Sequence, residues 1–211
     1  MMRIESVAAQ PDRAGRYTVK FEDGSVMHLY RQTVQDFGLY SGKELEESQI
    51  KQLRTAAGQM SAKMRAVRIV SASSISKADL ERRLVQNGED RGDARQAVAW
   101  MTDLNLLDDR KTAEQVVHRC ISKGYGLARA KQALYEKRIP RAYWEEALAD
   151  YPDQTKKILA FLQTRLGDSW EEKDLRRAMD ALLRRGHSYQ EIRTALQALS
   201  GDADFQEDIY G

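Results

Sequence analysis

The sequence predicts a mainly α protein: tandem three-helix repeats forming an elongated, curved array, preceded by a small β-hairpin and helix extension. Three observations predict it. From residue 61 onward, apolar residues recur at helical spacing, and each set draws one stripe about 100° wide. Three helix–turn–helix segments, beginning at Ala66, Val116 and Ala178, superpose without gaps at offsets of 50 and 62 residues. Ahead of them, Tyr17, Val19 and Phe21 alternate with Thr18 and Lys20, the period of a strand.

Taken in order, the first thirty residues read as strands. Asp23-Gly24 separates two alternating runs and predicts a tight hairpin turn, because glycine adopts positive φ without a Cβ clash. Residues 3–8 offer a third strand. A lone hairpin is marginal in water, so it should lean on the next helix or on a partner. Ser41-Gly42-Lys43-Glu44 has capping-box spacing and predicts a helix running through Leu45, Ile50 and Leu53. Ala94/Ala97/Val98/Met101, Ala113/Val116/Val117/Cys120 and Leu175/Ala178/Met179/Leu182 each form an apolar stripe.

The repeat has a common physical content. A striped helix ends in a short turn, and Gly124 and Gly186 stand where a left-handed residue closes a helix. Ser76 and Ser188 then serve as N-caps, with Ser188 and Glu191 forming a capping box. Leu80/Leu84, Ala130/Leu134 and Ile192/Leu196 are inward-facing pairs four apart. A third helix follows the first two segments, near 91–105 and near 140–150, with Pro140 at its first position. In the third, an extra helix over 154–166 comes first, and Ser169 should cap the one after it. The expected divisions are an extension over 1–60, repeats over 61–106, 107–151 and 152–200, and a flexible acidic tail over 201–211.

Composition narrows the class. Apolar residues are 42% and charged residues 31%, a globular balance that argues against wholesale disorder. Cys120 is the single cysteine, which excludes an intramolecular disulfide and a zinc cage and fits a reduced, cytoplasmic setting. No run of about 18 apolar residues exists to span a membrane, and the first six residues lack a signal-peptide core. Charge is uneven: residues 61–200 carry 26 lysines and arginines against 20 acids, whereas the last eleven carry four acids and no base. A basic helical body suits a negatively charged partner, although solvated helix faces explain the same numbers.

The residues also resemble a known family. Leu106-Leu107-Asp108-Asp109 with Ala113, then Lys123-Gly124-Tyr125-Gly126, then Leu134-Tyr135-Glu136-Lys137-Arg138-Ile139 resemble the central repeat of the RecX family. Leu183-Arg184-Arg185-Gly186-His187-Ser188-Tyr189 with Ile192 resembles its last repeat. Phe37-Gly38-Leu39 and Gly42-Lys43-Glu44-Leu45 resemble the extension of its longer members. The departures are His187 and Thr112, where the family usually has aromatics, and Ser73-Ser74, where it usually has basic residues. The resemblance implies a non-enzymatic, cytoplasmic regulator that lies in the groove of the RecA–DNA filament and mostly curbs strand exchange and co-protease activity. No cofactor, no metal and no membrane are expected from the residues themselves, with weak DNA contact and a monomeric state as further expectations.

The candidate partner-binding residues are Arg82 and Arg83 in the first repeat, Lys123, Gly124, Tyr125, Gly126, Arg129 and Lys131 in the second, and Arg184 and Arg185 in the third. Each cation has an ordinary reading as solvated charge. Tyr125 can cover its turn instead of stacking on a partner. Gly124 and Gly126 read better as backbone devices than as a phosphate cradle, since no strand precedes them and no Gly-Lys-Ser/Thr follows. Catalytic readings fail. His118 and Cys120 are two apart on a helix and face different ways, and Asp108-Asp109 suit a helix start. A direct DNA-binding regulator and an unrelated helical scaffold remain the alternatives. The basic turns concentrate in the second and third repeats, which directs partner binding there.

Overall fold

The structure is a computed structural model and describes residues 1–167 and 171–200. It is mainly helical, as expected. The elements are β1 (Met2–Val7), β2 (Arg16–Phe21), β3 (Val26–Tyr30), α1 (Arg31–Asp36), β4 (Glu44–Leu45), α2 (Glu47–Ala72), α3 (Lys77–Gln86), α4 (Arg91–Asp103), α5 (Asp109–Ser122) and α6 (Leu127–Glu136). A short 3-10 turn (Arg141–Tyr143) leads into α7 (Trp144–Leu148), followed by α8 (Thr155–Leu166), α9 (Glu172–Arg184) and α10 (Tyr189–Ser200). The chain divides into two compact units, one over Met1–Leu107 and a second from Asp108 onward.

In the first unit the strands form one antiparallel sheet in the order β3-β2-β1-β4. Alternation works as the period of two requires: Val19 and Phe21 are buried while Lys20 between them is exposed. Gly24 turns the β2–β3 hairpin with φ +83°. The inner face, with Ile4, Val19, Phe21 and Leu29, packs on Leu39, Leu45 and the α2 residues Ile50 and Leu53.

The Ser41 capping box does not form. Glu44 and Leu45 pair with Arg3 and Met2 as β4, and Leu45 is only 1% exposed within the sheet core. Burial of a leucine side chain outweighs one surface cap. The helix starts later, at Glu47, with Glu46 and Gln49 making a reciprocal capping box in place of the expected one.

Helix α2 runs 26 residues without a break, so the expected division at residue 60 falls inside it. Its first half closes the sheet core. Its second half, through Ala62 and Ala66, builds another core with Ile75, Leu80, Leu84, Ala94, Ala97 and Met101. Fully buried alanines on both α2 and α4 let the two backbones come close. Ser76 caps α3 as expected, accepting from the Asp79 N–H at 3.1 Å.

The second unit holds two further cores. Ala113, Val117, Leu134 and Ile139 join α5 and α6, with Trp144 and Tyr151 against them. Ile158, Leu162, Leu175, Met179, Leu182, Ile192 and Leu196 join α8, α9 and α10. Asp108 caps α5 through the N–H groups of Arg110 and Lys111. Ser188 and Glu191 form the expected capping box of α10. Pro140 precedes the 3-10 turn instead of opening a helix. Glu171 stands at the N-cap of α9; Ser169 and the acidic tail lie outside the described residues.

Candidate functional site

The turn between α5 and α6 lies against the turn between α9 and α10. Both are built from glycines that the local helix chemistry demands. Gly124 (φ +67°) and Gly186 (φ +85°) close their helices in the left-handed region. The two turns then bond to each other through the backbone. The Gly126 N–H donates to the Arg185 carbonyl at 2.9 Å, and the Ala128 N–H donates to the Gly186 carbonyl at 3.3 Å. Gly126 has an ordinary φ of −77°, so its lack of a side chain serves a different purpose. A Cβ there would overlap the Gly186 carbonyl and stand 2.5 Å from the His187 nitrogen. At Gly186, a Cβ would meet the Cβ and Cα of Arg129 at 2.6 and 2.9 Å. The glycines therefore set how closely the two turns approach.

Side chains complete the junction. His187 is 4% exposed, and its Nε2–H donates to the Gly124 carbonyl at 3.0 Å. The Tyr151 hydroxyl donates to the Tyr125 carbonyl at 2.6 Å, and burial pushes that phenol up to about 12. Lys157 of α8 donates to the Ile121 carbonyl at the end of α5. Arg185 stacks on Phe161, with its guanidinium 4.4 Å from the ring centroid.

This arrangement sorts the sequence candidates. Gly124 and Gly126 are buried inside the junction, and Tyr125 is half-buried with its carbonyl engaged. The Lys123 ammonium lies 6.0 Å from the Tyr125 ring centroid. Arg129 pairs with Glu136 at 3.0 Å. Lys123, Lys131 and Arg184 are exposed and make no ion pair among the described residues. The backbone contacts bring the turns carrying Lys123, Arg129, Arg184 and Arg185 together, although Lys123 and Arg184 are 61 positions apart in sequence. Arg82 and Arg83 belong to the other unit. Both grip Asp79, a carboxylate 2% exposed, at 2.6 and 3.1 Å, and such pairing reduces the charge they offer a partner.

Sequence reasoning missed Tyr151, Lys157 and Phe161. Their contacts span 26, 36 and 24 residues, and no local spacing announces them. No group of three or more His, Cys, Asp or Glu residues suited to a metal occurs among the described residues. Cys120 is buried, and that burial raises its thiol pKa.

A model of the RecX second three-helix domain matches residues 108–148, which contain α5, α6, α7 and the Lys123–Gly126 turn. The Regulatory protein RecX of Vibrio parahaemolyticus is 27% identical over 140 residues, covering 65% of this chain and 90% of that protein. That of Lactobacillus delbrueckii subsp. bulgaricus is 27% identical over 210 residues, covering 97% and 77%. The chain is thus similar to RecX proteins over most of its length. Two solved structures share its fold. A crystal structure of regulatory protein RecX has a TM-score of 0.63 at 21% identity, covering 93% of this chain and 100% of that one. RecX from Lactobacillus salivarius has a TM-score of 0.59 at 23%, covering 70% and 99%. The RecX family is one of regulatory proteins, and six of the ten candidate residues lie in the matched RecX domain. Among the described residues, no helix is long and apolar enough to cross a membrane.

His187, a departure from the usual RecX pattern, makes the junction sensitive to acid. Burial lowers its pKa; the bond to the Gly124 carbonyl and nearby Glu191 oppose the shift, and Arg185 reinforces it. The Nδ1 atom is buried without a partner, so a second ring proton has nowhere to bond. A folded-state pKa below the ordinary 6.5 means that the unfolded chain binds more protons in that window. The His187 contribution should be complete above about pH 6.5 and fall away as pH drops through the lower folded value. Urea unfolding across this range, compared with His187→Phe, checks it: the phenylalanine variant should lose that part of the pH dependence.

Proposed function

We propose that this chain is a non-enzymatic regulator that binds the RecA–DNA filament and modulates RecA, mostly by inhibiting its recombinase and co-protease activities. It acts in this reading as a cytoplasmic monomer without a cofactor. The observation that supports it is the convergence of basic turns from the second and third repeats at one junction, in a chain similar to RecX proteins. A rigid backbone staple presents Lys123 and Arg184 from two repeats at once, and a partner surface rich in carboxylate or phosphate would meet both.

The test is RecA ATPase and strand exchange on single-stranded DNA, with and without the protein. Inhibition at stoichiometric amounts is the expected result, weakening as salt rises. An unchanged RecA rate with tight binding to bare DNA, and a steep salt slope, would replace this reading with a direct DNA-binding regulator. No effect and no DNA binding would leave an unrelated helical scaffold.

A further inference from the structure

A groove opens where α6 ends. Its lining is Tyr135, Glu136, Arg138, Ile139, Arg141 and Trp144. Ile139 is buried and Trp144 half-buried. The Trp144 indole N–H donates to the Ile139 carbonyl at 2.9 Å, which holds the ring in place. Tyr135 is 66% exposed, a large side chain left facing solvent. Arg138 and Arg141 are exposed and make no ion pair among the described residues. The one acid of the lining, Glu136, is already held by Arg129 and Gln132 at 3.0 and 3.2 Å. The groove therefore offers apolar surface and two cations whose charge is not spent within the chain.

The backbone singles out Arg138. Two positions beyond their last helical residue, α3, α5 and α9 each place a glycine in the left-handed region: Gly88, Gly124 and Gly186, with φ +90°, +67° and +85°. The same position after α6 is Arg138, with φ +55°. A Cβ there crowds the following carbonyl oxygen, and glycine would relieve it. The turn itself closes through backbone bonds, from the Arg138 N–H to the Tyr135 carbonyl at 2.9 Å and from the Ile139 N–H to the Leu134 carbonyl at 3.0 Å. Glycine would make both bonds equally well. What the strained position adds is a guanidinium at the groove, and strain of this kind collects where a side chain serves recognition.

We propose that this groove binds an extended acidic peptide segment of a partner protein. An aromatic side chain of the segment sits beside Tyr135 and Trp144, and the carboxylates flanking it meet Arg138 and Arg141. A guanidinium matches a carboxylate with a two-pronged fork, and the apolar surface takes the anchor. A nucleic-acid strand suits the groove less well. A base needs a free ring face and open hydrogen-bonding groups. The Arg141 guanidinium already lies 5.7 Å from the Trp144 ring centroid, and the Ile139 carbonyl is engaged by the indole. An apolar anchor between two carboxylates needs only contact area and opposite charge. Recognition at this groove does not depend on the partner assigned to the junction.

The test uses the full chain without RecA or DNA and follows the Trp144 indole N–H resonance, assigned through Trp144→Phe. The probe is a capped peptide, Glu-Asp-Phe-Asp-Glu. It should shift that resonance saturably, and more weakly as salt rises. Arg138→Glu with Arg141→Glu should lower its affinity on the order of tenfold or more. The uncharged peptide Gln-Asn-Phe-Asn-Gln and the anchorless Glu-Asp-Gly-Asp-Glu should each lose a similar factor. Arg138→Gly separates recognition from folding: the urea midpoint should hold or rise as the φ strain is relieved, while the peptide affinity falls several-fold. A resonance unmoved by millimolar peptide overturns the proposal, and so does an unchanged affinity in the Arg138→Gly chain. A tighter response to oligothymidylate than to the peptide overturns it too, by making nucleic acid the occupant.

Discussion

Gly126→Ala is expected to destabilise the second unit by roughly 3 kcal/mol, an overpacking cost combined with lost backbone bonds. The residue's φ of −77° suits alanine, so backbone strain contributes nothing. The whole effect comes from the collision. The new methyl group would press on the Gly186 carbonyl and the His187 nitrogen, both backbone atoms that cannot rotate away. The turns must separate, and that breaks the bonds from Gly126 to Arg185, from Ala128 to Gly186 and from His187 to Gly124. Gly24→Ala is the control. Its φ is +83° with nothing within 4 Å, so only the left-handed cost of about 1 kcal/mol applies. Urea unfolding of both variants measures the difference, and amide exchange at Ala128 reports the junction itself. Equal losses at the two positions would show that the turns separate without resistance.

Reversing charge at the exposed rim of the junction should have the largest effect on partner binding. Lys123→Glu combined with Arg184→Glu is expected to weaken binding to the RecA–DNA filament on the order of tenfold or more, about 1.4 kcal/mol per decade. Both side chains are exposed, so the substitutions leave the fold intact. Arg185 is a poorer probe because its stacking on Phe161 mixes stability with binding. Lys77→Glu, in the first unit, should change binding far less. Titration of the filament at several salt concentrations measures both affinity and salt slope, and the double variant should show the shallower slope. Equal weakening by Lys77→Glu would remove the weighting toward the second and third repeats.

Much of the local structure was legible in the sequence because its causes are local. Ser76 caps α3 through a residue three positions on, and Ser188 and Glu191 close on each other over the same distance. The positive φ of Gly24, Gly124 and Gly186 follows from turn chemistry within a few residues. Where two local signals competed, the sequence had no means to choose. Ser41 and Glu44 have the spacing of a cap, yet β1 was available to pair with Glu44 and Leu45 and to bury Leu45. The candidate site was legible only in part. Lys123, Arg129, Arg184 and Arg185 stood out as basic residues at turns, but nothing in their spacing said that the turns meet.

The sequence by itself determined the helical class, the strand period and the turn glycines, since each rests on dihedral preference, periodicity and hydrogen bonds closed within one helical turn or one hairpin. Only the tertiary structure decided what those glycines are for. Gly126 is required by a backbone 60 positions away, that of Gly186, and His187 is buried by a carbonyl 63 residues distant. Close packing between remote backbones leaves no periodic trace along the chain, because the contact is a property of two surfaces and neither segment encodes it alone.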